Sequence, residues 1–260
     1  MTGFIGGGNM AEALVKGMVQ EGKRDIIVSE PREDRRAYLE KTYAIKTTAV
    51  NTEAVEASEV VVLAVKPQQM DEVLRDIAPA VTAEHTVVSI AAGITLKFIQ
   101  DRLNSERVIR AMPNMAAQVG EGMTALSLCE CFGGKGLNMA REIFMASGRV
   151  LMLPEKHIDA VTALSGSGPA FLALFIGAMA QAGERAGLTH DDAVALAVQT
   201  ATGTSKLLDE GLEPSKLIEK VRSPGGTTAE GLKVFEEKGL EAIVLEALEA
   251  ARKRAKELSK

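Results

Sequence analysis

The chain has 260 residues, of which 46% are hydrophobic, with a formal charge of -5 and no tryptophan. That length is generous for one core and comfortable for two, an N-terminal domain of about 150 residues and a smaller partner. The acidic balance, with no basic stripe interleaved with aromatics, argues against a nucleic-acid binder. Met1 runs straight into Thr2, Gly3, Phe4 and Ile5 with no charged leader or long apolar run, so no signal peptide is expected and the cytoplasm is. The longest apolar stretch, 169–182, is interrupted by Gly177 and reads as too short to span a bilayer. Cys129 and Cys131 are the only cysteines and His85, His157 and His190 are scattered, so reduced thiols and no metal are expected.

The first half alternates strands and helices. Phe4 and Ile5 end a short apolar strand, and Gly6, Gly7, Gly8, Asn9, Met10 and Ala11 lead into a helical pattern through Ala13, Leu14, Met18 and Val19. This is G-x-G-x-x-A between a strand and a helix, the context in which the motif indicates a dinucleotide site. Gly6 permits the tight turn, Gly8 lets a pyrophosphate reach the helix end, and Ala11 allows close packing on the sheet. A second strand, 25–28, ends in Ser29, Glu30, Pro31 and Arg32, where the ribose-reading residue belongs. A small hydroxyl followed by Arg32, Arg35 and Arg36 suits a 2′-phosphate and favours NADP(H), with one arginine expected to touch it; Glu30 speaks for NAD(H).

The uninterrupted β-branched run 59–65 marks a strand buried on both faces of a parallel sheet, ending at Lys66 and Pro67. Strands 86–90 and 107–112 follow, the first ending in Ala91, Ala92 and Gly93 and the second in Pro113 and Asn114. Three successive strands thus finish in small, proline or polar residues on one edge, where ligands of such sheets bind. Residues 119–128 and 148–153 read as final strands around a helix at 137–146, with 133–136 as a loop.

From Ile158 onward helical patterns take over, placing a boundary near Leu153 and Pro154. The expected architecture is an α/β Rossmann-type domain with a mostly parallel sheet (1–153), then an all-α domain (154–260). Ser165, Gly166, Ser167, Gly168 and Pro169 interrupt one helix and start the next. The stretch 169–183 is apolar nearly all round, which a solvated helix cannot be, so burial against a second subunit is expected. Thr189 and Asp192 start a helix reaching Leu208, Pro214 opens a short one to Val221, and the last spans about 240–258.

The stretch Arg222, Ser223, Pro224, Gly225, Gly226, Thr227 and Thr228 is the candidate chemical centre. Pro224 ends the preceding helix and the glycines let the backbone turn. Thr227 and Thr228 fall where a new helix begins, so the amides of Gly226, Thr227 and Thr228 are expected to point outward unpartnered. Such a helix end attracts a small carboxylate, leaving a Thr hydroxyl for the neighbouring reacting atom.

Five blocks carry a resemblance: GFIGGGNMA (3–11), AVKP (64–67), RAMPN (110–114), LSGSGPAF (164–171) and SPGGTT (223–228). In this order, spread over nearly the whole chain, they resemble pyrroline-5-carboxylate reductases, which reduce the cyclic imine 1-pyrroline-5-carboxylate to L-proline with NADPH in the final step of proline biosynthesis. The resemblance implies self-association through the helical domain as a homodimer, assembled into a decamer in many members. It implies that Ile5, Gly6, Gly7, Gly8, Asn9 and Met10 hold the pyrophosphate, and that Ser29, Pro31, Arg32 and Asn51 serve the adenosine side. Ala64, Val65, Lys66, Pro67, Ile90, Ala91 and Ala92 then line the nicotinamide half. Glu155, Lys220, Ser223, Gly226, Thr227 and Thr228 match substrate-binding positions, with Thr228 as the catalytic hydroxyl; Lys220 stands where some relatives carry Asn. NADPH is the expected cofactor, with NADH as a weaker alternative.

The chemistry agrees with what is missing. A cyclic imine is basic enough to be protonated and to accept hydride without a strong general acid, and no catalytic His or Lys stands out in the helical half. Two other readings compete. A 3-hydroxyacid dehydrogenase of related architecture calls for a Lys soon after the glycine-rich start of the helical domain, and 172–175 contain none. A non-enzymatic NADP-binding sensor has no use for the 223–228 turn.

Overall fold

The structure is a computed structural model that describes residues 1–129 and 133–259. Its contacts divide the chain into two units, one of Met1–Ser167 with Ala251–Lys260 and one of Gly168–Ala250. The first unit begins with β1 (Thr2–Ile5), α1 (Asn9–Gln20), β2 (Ile26–Ser29), α2 (Glu33–Tyr43), β3 (Lys46–Thr48), α3 (Asn51–Glu56) and β4 (Val60–Leu63). It continues with α4 (Met70–Ile77), β5 (Thr86–Ser89), α5 (Leu96–Leu103), β6 (Val108–Met112), β7 (Gly122–Leu128), α6 (Lys135–Met145), β8 (Gly148–Met152) and the single turn α7 (Ile158–Val161).

The strands form one sheet in the order β3-β2-β1-β4-β5-β6-β7-β8. Every pairing is parallel except β6 with β7. Strand order reverses beside β1, which has β2 on one side and β4 on the other, and such a switch point opens a crevice at the carboxyl ends of the strands. Register brings those ends level: Ile5 lies opposite Ser29 and Leu63, and Leu63 opposite Ser89. Alternation along each strand feeds two cores. Phe4, Val28, Val62 and Val88 meet Leu14 and Phe144 on one face; Ile5, Val61, Leu63 and Val87 meet Met70, Leu74 and Ile99 on the other. Burial of these side chains supplies about 1.5–3 kcal/mol each and holds the sheet edge in place.

Several expectations are corrected. The short apolar strand expected to end at Phe4 and Ile5 is not among them: β1 spans Thr2–Ile5, and all four of its residues are buried. Lys135 and Gly136, read as loop, form the first turn of α6, where Gly136 is buried and the Lys135 ammonium pairs with Glu59. Cys129 is disulfide-bonded, which overturns the reduced thiol expected there; Cys131 lies outside the described residues. The glycine-serine segment breaks the α-helix as expected, a new one starting at Gly168, but the break is filled by a helical turn of another kind. Residues Thr162–Gly166 adopt a π turn in which the Ser167 amide reaches the Thr162 carbonyl at 2.9 Å. The helical run Glu155–Arg185 is consequently long and apolar enough to cross a membrane by length and composition, contrary to the shorter stretch read from sequence.

The chain re-enters the first unit at its end, where the Leu258 carbonyl lies so close to Gly93 that a β-carbon on Gly93 would stand 2.5 Å from it. The Ser259 hydroxyl also donates to Asp159 at 3.3 Å.

The second unit holds α8 (Gly168–Arg185), α9 (His190–Asp209), α10 (Pro214–Val221), α11 (Thr227–Glu237) and most of α12 (Leu240–Leu258). The Thr189 hydroxyl caps α9 through the Asp192 amide at 3.2 Å, and Pro214 opens α10. Its core cluster is small, made of the buried alanines Ala180, Ala193 and Ala197. Leu172 is 64% exposed and Leu174 76% exposed on α8. An apolar face of that kind marks an association surface.

Candidate active site

Gly6 follows β1 with φ at +99°, a conformation open to glycine, and a β-carbon there would come within 2.8 Å of the Ala64 carbonyl. The chain turns at Gly6 and enters α1, whose N-cap is Gly8 with no side-chain cap. The amides of Gly8, Asn9 and Met10 have no hydrogen-bond partner among the described residues, and nothing lies within 4 Å of a β-carbon built on Gly8. Open space in front of unpaired donors at the positive end of a helix fits a pyrophosphate. The Gly7 amide is different, because it donates to the buried Glu30 carboxylate at 3.0 Å.

Beside this loop lies a cavity of about 400 Å³ lined in part by Gly6, Ser29, Pro31, Asn51 and Val65. The Ser29 hydroxyl and the Asn51 side chain meet at 2.6 Å, and the Asn51 amide group donates to Asp76 at 2.8 Å. Five residues read from sequence as cofactor contacts therefore share one concavity. Ala64, Val65, Lys66 and Pro67 follow β4, Pro67 opening a 3-10 turn, and Ile90, Ala91 and Ala92 follow β5. The Ala64 amide donates to Ile5 and that of Ile90 to Leu63, so these segments continue the levelled strand ends.

The three arginines separate by environment. Arg32 is 61% exposed and its Nε donates to Glu30 at 3.2 Å. Arg36 donates to the carbonyls of Glu30 and Pro31 at 2.8 and 2.9 Å. Arg35 is only 15% exposed and donates to the Gly7 carbonyl at 2.6 Å. Glu30 turns inward beneath the glycine loop and is paired with Arg32, an arrangement compatible with a phosphate nearby.

Glu155 also lies in the first unit. Its Oε1 accepts from the Leu96 amide at 2.8 Å and from Arg110 at 3.1 Å, so it caps α5 and neutralises a guanidinium that is 4% exposed. No sequence signal joined Arg110 to Glu155, because the pair is brought together only by tertiary folding.

In the second unit the candidate turn has a definite geometry. Pro224 and Gly225, with φ at +68°, occupy the central positions of a β-turn closed by the Gly226 amide on the Ser223 carbonyl at 3.0 Å. The expectation that the Gly226 amide is unpartnered is thus corrected, since the turn itself uses it. α11 then starts at Thr227 with Gly226 as an extended N-cap, and the amides of Thr227 and Thr228 have no partner among the described residues. Two donors without a partner among the described residues and two hydroxyls sit on the first turn of an eleven-residue helix, the kind of helix end that attracts anions. Lys220 occupies the last turn of α10.

A switch-point sheet with a phosphate-ready helix end, joined to a helical unit with an uncovered apolar face, defines an NADP-dependent oxidoreductase that self-associates. Residues 1–93 match the family described as NADP oxidoreductase coenzyme F420-dependent, and residues 155–258 match pyrroline-5-carboxylate reductase dimerisation. A pyrroline-5-carboxylate reductase of Synechocystis sp. is 45% identical over 262 residues, covering 99% of this chain and 98% of the relative. The structure of a pyrroline-5-carboxylate reductase from Coxiella burnetii superposes with a TM-score of 0.94 at 36% identity, over 100% of this chain and 98% of that one. A Plasmodium falciparum pyrroline carboxylate reductase, solved with NADP bound, gives 0.88 at 28% identity, over 100% of this chain and 98% of that one. The chain belongs to the pyrroline-5-carboxylate reductase family.

Proposed function

We propose that this chain reduces 1-pyrroline-5-carboxylate to L-proline with NADPH, the last step of proline biosynthesis. The observation that carries this reading is full-length likeness to a pyrroline-5-carboxylate reductase at 45% identity, joined to the amides of Thr227 and Thr228, which have no partner among the described residues. NADPH, when bound, supplies the hydride. The amides of Gly8, Asn9 and Met10 hold the pyrophosphate, with Ile5, Gly6 and Gly7 shaping the loop. Ser29, Pro31, Arg32 and Asn51 receive the adenosine end, Arg32 being the arginine with an exposed guanidinium. Ala64, Val65, Lys66, Pro67, Ile90, Ala91 and Ala92 line the nicotinamide side.

For substrate, the amides of Thr227 and Thr228 take the carboxylate, within the turn set by Ser223 and Gly226, and Lys220 and Glu155 complete the binding set. The Thr228 hydroxyl orients the ring nitrogen. A protonated imine is electrophilic enough that no stronger acid is required of the protein.

The domain division is 1–153 for cofactor and 154–260 for substrate and association. The associating unit is a homodimer, assembled further into a decamer. The enzyme works in the cytoplasm without nucleic acid or membrane, a reading supported by the charge of -5. The test is NADPH oxidation with pyrroline-5-carboxylate, with a 3-hydroxyacid and NADP as the control. Turnover of the hydroxyacid alone overturns the assignment, and binding of NADPH without any turnover identifies a sensor.

A further inference from the structure

Gly7 is gripped on both sides by charged side chains. Its N–H donates to Glu30 at 3.0 Å, and its carbonyl accepts from Arg35 Nε at 2.6 Å. Arg35 in turn pairs with Glu12 on α1, whose other oxygen accepts from the Tyr38 and Tyr43 hydroxyls at 2.9 and 2.8 Å. The Arg35 guanidinium also lies 5.0 Å from the Tyr38 ring centre. Glu30, just after β2, and Arg35 of α2, itself held by Glu12 of α1, therefore grip the two peptide groups on either side of Gly7, Glu30 the one joining it to Gly6 and Arg35 the one joining it to Gly8.

The peptide joining Gly7 and Gly8 is trans and planar, so its C=O and N–H point in opposite directions. With the oxygen drawn to Arg35, the Gly8 N–H faces the open side of the loop, where it has no protein partner. We propose that Arg35 is a positioning residue that fixes this peptide so that the Gly8 amide meets the dinucleotide pyrophosphate, and that it is not a reader of the ribose 2′-phosphate. The inference rests on the glycine loop being the NADPH site. Arg35 is close in sequence to Arg32 and Arg36, but its charge is spent on Glu12 and on a backbone oxygen. Without that grip the peptide is free to flip and present its carbonyl oxygen to a phosphate, which repels it.

The experiment measures equilibrium binding of NADP⁺ and NAD⁺ by calorimetry and of 2′-AMP by NMR titration, on the full-length protein. 2′-AMP carries the 2′-phosphate and no pyrophosphate. In Arg35→Met, NADP⁺ and NAD⁺ weaken by the same factor, about tenfold for one charge-assisted hydrogen bond, while 2′-AMP stays within about twofold of wild type. A merely structural loss would weaken all three. Arg32→Gln gives the opposite pattern, losing NADP⁺ and 2′-AMP and keeping NAD⁺. Should Arg35→Met fail to fold, Glu12→Gln carries the test with the same pattern and a loss of about threefold. Loss of NADP⁺ and 2′-AMP with NAD⁺ unchanged in Arg35→Met overturns the proposal, as does unchanged binding of all three or an equal loss of all three. A wild type that binds neither dinucleotide overturns the cofactor reading beneath it.

Discussion

The two units solve the problem of burial in opposite ways. In the first, a sheet covered on both faces by helices encloses Phe4, Leu14, Leu63, Met70 and Phe144 within its own chain. In the second, the buried cluster is three alanines, and large apolar side chains such as Leu174 face outward. One unit is complete as a fold and the other is completed by association. The difference extends to ligands: the first offers a concavity shaped by long-range contacts, the second a helix end shaped by a local turn.

The sharpest way to break the contrast is at Gly6. Gly6→Val puts a β-branched residue at positive φ against the Ala64 carbonyl, so NADP⁺ affinity is expected to fall by more than about 100-fold, read by calorimetry, with the oligomer mass unchanged. On the other side, Leu172→Asp combined with Leu174→Asp places two charges in the association face. Light scattering is expected to give the single-chain mass, with activity down about 100-fold and NADP⁺ binding kept, because the first unit holds its own core. An unchanged mass would show that α8 is not the contact.

Thr228→Ala is expected to lower kcat/KM by about one to two decades while leaving the KM for NADPH alone, the signature of one lost transition-state hydrogen bond. An unchanged kcat/KM removes Thr228 from the mechanism. Arg32→Gln is a smaller effect, about tenfold on NADPH with NADH unaffected; an equal loss on both would move the 2′-phosphate contact elsewhere.

The smallest effect is one of pH. Burial works to raise the Glu12 carboxyl, but hydrogen bonds from Arg35, Tyr43 and Tyr38 outweigh it and hold the group below its ordinary 4.5. A lowered folded value stabilises above the unfolded value and loses that stabilisation as pH falls through the folded one. Wild type is therefore expected to melt about 2 °C above Glu12→Gln at pH 7, with the difference vanishing under acid; a constant gap would deny the linkage.

Local chemistry made most of the architecture readable. The β-branched run at β4, the glycine spacing before α1, the Thr189 cap and the Pro224 turn each depend on neighbours within a few residues, and each lies where sequence placed it. What escaped was set by distance along the chain. β3 is a polar edge of three residues with no run to betray it, and the reversal at β7 leaves no mark in composition. Glu30 read as a residue against NADP(H) because its tie to Gly7, 23 positions away, is invisible before folding. The same holds for Arg110 on Glu155, 45 positions apart.

The seating of the Leu258 carbonyl against Gly93 reaches into practice. Gly93 directly follows the alanines assigned to the nicotinamide side, so the final turn of α12 acts as a buttress for that loop. Trimming this segment with a protease, or welding a purification handle to it, is expected to disturb hydride delivery while leaving the cavity beside Gly6 and Ser29 intact, so that preparations differing only there report different turnover for the same affinity.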